Sequence, residues 1–185
     1  MRTIEKWKTR HLAKELEQFT PRTKQLLQEI YPQDNLPDEI DNSCFIHGET
    51  GYGKTIYAAS LLLQEKRNLY LQGEVKDCYF VNIADLFDEI KESYDKSSFN
   101  KESEILGKYS FCHLLVLDDF GTVKPSEWLL QNLYLIINRR YEYLKKTIIT
   151  SNYNLDEIAE MFGDIRITSR IERMCEIINK KHWKK

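Results

Sequence analysis

The chain is 185 residues long, 42% hydrophobic and 30% charged, with a formal net charge of −2. That is enough chain for one domain with its own core, in the composition range of a soluble globular protein. No apolar run approaches the ~20 residues that span a bilayer, and the charged start Met1-Arg2-Thr3-Ile4-Glu5-Lys6 lacks the apolar stretch of a signal peptide, so the expected compartment is the cytoplasm and no membrane partner is expected.

The charge is unevenly placed. Residues 1–24 carry seven Lys/Arg against three Asp/Glu, and so do residues 164–185, which leaves a net −10 for the middle. Basic ends on an acidic body suit nucleic acid or an acidic partner, and equally suit solvated helix faces. Cys44, Cys78, Cys112 and Cys175 stand alone, without a CxxC pair, and three adjoin strand-like runs. Reduced core thiols are the favoured reading over a metal site.

In chain order, Ile4, Trp7, Leu12, Leu16 and Phe19 recur at helical spacing between charges, which predicts an amphipathic helix over residues 3–19. It is set apart as a candidate partner-binding element, with residues 20–185 forming the main domain. Thr20-Pro21 reads as an N-cap followed by Pro at the first helical position, opening a second helix that ends at Tyr31-Pro32. Residues 33–43 are a polar connector.

The short apolar run Cys44-Phe45-Ile46 predicts a buried strand, and Ile56 to Leu63 predicts a helix. Between them lies Gly48-Glu49-Thr50-Gly51-Tyr52-Gly53-Lys54-Thr55, a GxxxxGKT pattern in the strand–loop–helix setting of a phosphate-binding loop. Glycines let the backbone fold close around a triphosphate, so that successive N–H groups and the helix N-terminus, through Ile56, face the anion. Lys54 is expected to reach the β- and γ-phosphates of ATP, and the Thr55 hydroxyl to take a place on Mg²⁺.

Downstream, strands alternate with helices. Cys78 to Val81 is strand-like and Ile83 to Ile90 helix-like; residues 95–110 are polar and are assigned no single conformation. His113 to Leu117 is a continuous apolar run, as a central parallel strand requires. Ser126 to Tyr143 predicts a long helix, Thr147 to Thr150 a fourth strand, and two short helices around Gly163 close the chain. The alternation predicts an α/β fold: a central parallel sheet flanked by helices, with a short helical C-terminal segment.

The third strand runs into Asp118-Asp119, at the sheet edge where such folds bind ligands. Asp118 is placed to hold Mg²⁺, and Asp119 to polarise the attacking water. The fourth strand runs into Asn152, whose amide suits the γ-phosphate and the water. Arg166 and Arg170 lie four apart, on one helix face. A planar guanidinium suits a phosphate held by a neighbouring subunit, and Arg170 is the preferred candidate. Arg139, Arg140, Lys145 and Lys146, with Tyr141 and Tyr143, form a basic-aromatic cluster suited to single-stranded DNA, although such a cluster is also an ordinary solvated helix end.

Together these residues resemble the AAA+ helicase loaders of the DnaC/DnaI type and their relative IstB, a transposition helper ATPase. The resemblance runs from about Phe19 to the end. It rests on HGETGYGKT as Walker A, YFVNIADLF as a strand-to-helix segment, LLVLDDFG as Walker B, TSN as sensor 1 and ITSRIERM as the arginine-finger segment. It implies a P-loop NTPase of AAA+ type in which Gly48 to Thr55 bind ATP, Asp118 and Asp119 serve Mg²⁺ and hydrolysis, Asn152 is sensor 1 and Arg170 acts in trans. It also implies self-association through the nucleotide site, a replicative helicase and single-stranded DNA as partners, or a transposase with duplex DNA in the IstB-like version. A nucleotide-binding adaptor with little hydrolysis is a further alternative. The second acid is Asp119 where many AAA+ proteins have Glu, so slow turnover is expected. The second-sensor position falls near Lys184, which lacks the bidentate fork of an arginine.

Overall fold

A computed structural model describes residues 2–31, 36–37, 42–95 and 99–179. Among these residues five strands, β1 (Ser43–His47), β2 (Cys78–Asn82), β3 (Leu114–Phe120), β4 (Lys146–Ser151) and β5 (Cys175–Asn179), form one sheet in the order β2-β3-β4-β1-β5. Every pairing is parallel. The inner strands β1, β3 and β4 are buried along most of their length because both faces of the sheet are covered there. Phe45, Leu115, Leu117 and Ile149 join one core with the helices α5 (Ile83–Asp95), α6 (Phe99–Phe111), α7 (Glu127–Glu142), α8 (Leu155–Phe162) and α9 (Ile165–Met174). Their sequence neighbours Cys44, Ile46, Leu114, Val116 and Ile148 join a second core with α3 (Pro21–Ile30) and α4 (Lys54–Gln72). All four cysteines are buried and free.

Residues 4–16 form two short helices, α1 (Ile4–Trp7) and α2 (Ala13–Leu16), joined by a π-helical turn over Lys8–Leu12. The turn has a reason in the sequence. Trp7 and Leu12 are five residues apart, and the wider π turn brings positions at that spacing onto one face. That face lies on the body of the molecule: Trp7 is buried against Tyr70 of α4, Leu12 and Leu16 pack on the second core, and Glu15 pairs with Lys66. Thr20 caps α3 by accepting from the Thr23 N–H at 3.3 Å, with Pro21 at the first position.

Three features depart from the sequence expectations. Residues 99–111 are a helix, α6, whose Leu106, Tyr109 and Cys112 neighbourhood is core despite its polar composition. The chain does not stop its sheet at four strands: after α9 it adds β5 alongside β1. That strand was hidden because Cys175-Glu176-Ile177-Ile178 is short and lies on the sheet edge, where Glu176 and Ile177 remain exposed. Third, β3 continues through both aspartates to Phe120, with its register to β4 broken between Leu117 and Phe120. No helix among the described residues is long and apolar enough to cross a membrane. Lys184 lies outside the described residues.

Candidate nucleotide-binding site

The loop between β1 and α4 turns on glycines. Gly48, Gly51 and Gly53 have φ of 145°, 90° and 75°, conformations that L side chains rarely adopt. Lys54 opens α4 and is 6% exposed. Its ammonium donates to the carbonyls of Gly48 and Glu49 and to Oδ1 of Asn152, each at 2.8 Å. Burial lowers its pKa, and the negative charges of Asp119 and Asp118 oppose that shift. Thr50 and Gly51 are exposed at the loop tip and Tyr52 is half-buried. Ile56 places its side chain in the second core, leaving only its backbone for a ligand.

The acidic pair sits at the irregularity in β3. Asp118 is 4% exposed, and burial pushes its carboxyl up to about 6, against the hydrogen bonds from Thr150 and Thr55 and the charge of Lys54. Asp119 adopts φ 57°, uncommon for a residue with a side chain, at the point where the register to β4 breaks. Two residues hold this turn. Thr150, fully buried on β4, donates to Asp118 Oδ1 at 2.6 Å and accepts the Asp119 N–H at 3.0 Å. Asn82, at the end of β2 opposite Asp118, donates to Asp119 Oδ2 at 3.3 Å and caps α5 by accepting the Ala84 N–H at 2.9 Å. Neither was singled out from sequence. Asn82 carried the same signal as Asn152, a polar residue closing an apolar strand, and lay inside the quoted YFVNIADLF segment.

Lys54, Thr55, Asp118 and Asn152 therefore lie in one connected cluster at the C-terminal rim of the sheet, with Asp119 beside it. The oxygen donors of Thr55 and Asp118 touch one another, a hard-ligand set of the kind magnesium takes. Arg170 is elsewhere. Its guanidinium bonds Asn138 and the Tyr134 hydroxyl (2.8 Å) on α7 and the carbonyl of Arg166 (3.1 Å). Arg166 is exposed and forks onto the Asp164 carboxylate at 2.7–3.1 Å.

The basic-aromatic cluster needs correction. Arg140 is fully buried and cannot meet DNA. It donates to the carbonyls of Tyr109 (2.7 Å), Cys112 (3.3 Å) and Lys146 (2.5 Å) and to Thr147 Oγ1 (2.8 Å). Lys146 pairs with Glu65 at 2.8 Å. Arg139 lies over the Phe111 ring, and Lys145 is half-buried.

A family model described as IstB-like ATP binding protein matches residues 15–182. Among curated proteins, the replicative helicase loader DnaC of Escherichia coli K12 is 26% identical over 129 residues, covering 70% of this chain and 49% of DnaC. An ATP-binding protein of insertion sequence IS5376 from Geobacillus stearothermophilus is 27% identical over 138 residues, covering 74% of this chain and 51% of that protein. The chain thus spans about half the length of these curated relatives. A crystal structure of the DnaC helicase loader superposes with a TM-score of 0.63 at 27% identity, covering 94% of this chain and 99% of that one. AMPPCP-bound DnaA from Aquifex aeolicus, at 22% identity and a TM-score of 0.63, shares the fold over 89% of this chain and 49% of its own. With the AAA+ P-loop fold and a family model spanning nearly its whole length, the chain belongs to the IstB-like ATP-binding proteins, relatives of the DnaC helicase loaders.

Proposed function

We propose that this protein binds ATP with Mg²⁺, hydrolyses it slowly, and acts in the cytoplasm during DNA replication as a loader that places a replicative helicase on single-stranded DNA. The observation that supports nucleotide chemistry is the convergence of Lys54, Thr55, Asp118 and Asn152 on one rim of the sheet. The backbone N–H groups from Gly48 to Ile56 cradle phosphate oxygens. Lys54 exchanges its present acceptors, Gly48, Glu49 and Asn152, for the β- and γ-phosphates. Thr55 and Asp118 would hold the magnesium ion, which when bound neutralises charge on the phosphates. Asp119, its carboxylate set by Asn82 and the Thr150-anchored turn, polarises the attacking water, while the Asn152 amide orients it. Arg170 completes the site of a second copy, so that nucleotide binding and self-association depend on each other.

The loader reading draws on the DnaC relative and the DnaC crystal structure. A transposition helper acting on duplex DNA is the second reading, favoured by the match to the IstB-like model and the insertion-sequence relative. The salt dependence of binding to single-stranded and to duplex DNA separates them: preference for single strands supports the loader, preference for duplex the helper. Chemistry is tested apart from DNA. Lys54→Ala should weaken ATP binding by roughly 100-fold with the fold retained. Asp119→Asn should keep ATP binding and cut phosphate release by about 100-fold. Equal release from Asp119→Asn and wild type would rule out the water-polarising role of Asp119, and release at background level from both would favour a nucleotide-binding adaptor.

A further inference from the structure

Arg166 and Arg170 share a helix face, and both guanidiniums lie 4.7 Å from the centroid of the Tyr134 ring. Their electrostatic situations differ. Arg166 spends its fork on the Asp164 carboxylate, a mutual stabilisation that raises the arginine's pKa and lowers the aspartate's. Among the described residues the hydrogen-bond partners of Arg170 are neutral, namely the Asn138 amide oxygen, the Tyr134 hydroxyl and the Arg166 carbonyl, and Asp164 reaches it only as a more distant charge. Neutral acceptors fix a guanidinium in place without cancelling its charge. They also occupy three of its five N–H donors, leaving the rest for an anion. Asn138 is itself oriented, because its amide nitrogen donates to Glu142 at 2.9 Å and so its oxygen faces Arg170.

From this geometry we infer that Tyr134 and Asn138 are positioning residues that hold Arg170 directed, with no carboxylate hydrogen-bonded to it, for a phosphate anion bound by a second copy of the chain. The inference rests on the reading that Arg170 completes a neighbour's site. Tyr134 supplies a ring face and an acceptor; Asn138 supplies an acceptor locked by Glu142. Both stand on α7, the helix that follows the Asp119 turn through Gly121 to Ser126. One helix therefore connects a subunit's own acidic pair with the arginine it offers to the next subunit. That route is a set of packed contacts, and it counts as coupling only if function depends on it.

The test is steady-state ATP hydrolysis by the full chain carrying Asn138→Ala, Tyr134→Leu or Tyr134→Phe, each alone and combined with Arg170→Ala. Misplacing a group that meets the transition state costs up to about 100-fold. Asn138→Ala and Tyr134→Leu are each expected to lower kcat by about 10- to 100-fold with ATP binding and KM unchanged. Tyr134→Phe, which keeps the ring, should recover part of the loss. Neither substitution should reduce activity further once Arg170 is Ala, because both act through that arginine. Addition of Asp119→Asn subunits, which carry an intact Arg170 arrangement, should restore turnover to Asn138→Ala chains. Full activity of Asn138→Ala and Tyr134→Leu beside an inactive Arg170→Ala overturns the inference alone. So does a further loss in the double variants, or a raised KM with unchanged kcat. Full activity of Arg170→Ala itself overturns the shared-site reading together with this one.

Discussion

Asp118 carries the clearest cost of function. Its carboxyl is buried, and burial raises its pKa from 3.8 to about 6, so the ligand-free fold favours its protonated form. The sign follows from proton counting. Between pH 3.8 and about 6 the folded state binds the proton more tightly than the unfolded chain, so stability falls as pH rises through that window. The shift is worth about 3 kcal/mol once the group is ionised. Asp118→Asn should therefore stabilise the ligand-free protein by roughly 1–3 kcal/mol at pH 8, and by far less at pH 4. The same variant should lose the magnesium dependence of ATP binding. Urea unfolding at the two pH values, beside nucleotide titrations with and without magnesium, checks both. A variant less stable than wild type at pH 8 would show that Asp118 is held ionised by its partners rather than strained by burial. Thr150 does most to ease this strain, ahead of Thr55 and Lys54: its hydroxyl donates to Asp118 and accepts from the Asp119 N–H.

At the scale of elements, what was legible was what is local. The phosphate-binding loop declared itself because strand, glycines and helix are contiguous, and Asp118-Asp119 because an apolar run ends in acids. Asn82 and Thr150 did not, since their value lies in bonds to Asp119 across 37 and 31 residues of chain. Helix α6 was hidden by a polar composition that buries only one side. Arg140 misled for the same non-local reason. At the end of a helix, beside Arg139 and Lys145, it has the composition of a DNA-binding face, yet it is packed between α6, α7 and β4 with its donors on backbone carbonyls. These carbonyls end one helix and begin one strand, where the regular ladders supply no donor. Arg140→Leu should destabilise the fold by about 3 kcal/mol or more, since it strands several buried acceptors at once. Arg140→Lys should recover little, because an ammonium lacks the fork that spans them. Lys145→Ala, by contrast, should change the melting temperature far less, its side chain being only half-buried. Thermal melts of the three variants separate the structural arginine from its lysine neighbour; equal melts for Arg140→Leu and wild type would show that the buried carbonyls do not depend on its guanidinium.

For the whole molecule, the proposed function makes the arrangement half of a site at each end of one path. The rim of the sheet presents Lys54, Asp118 and Asp119, while α9 presents Arg170, whose own bonds run to α7 and not to that rim. A head-to-tail association joins one rim to the next arginine and leaves a free end on each assembly unless the rotation closes into a ring. Hydrolysis per chain should then rise with protein concentration, which a site complete in one subunit would not show. Subunit mixing gives the sharper result. Arg170→Ala keeps a competent rim but offers no guanidinium; Asp119→Asn offers the guanidinium but has no competent rim. Each alone should be inactive. Mixed in equal amounts they should recover about a quarter of the wild-type rate, because random head-to-tail junctions place a good rim against a good arginine that often. Recovery should vanish on dilution, together with the assembly. If the mixture stays inactive at every ratio while both variants still bind ATP, Arg170 serves its own subunit or the fold alone, and the two halves do not meet between copies.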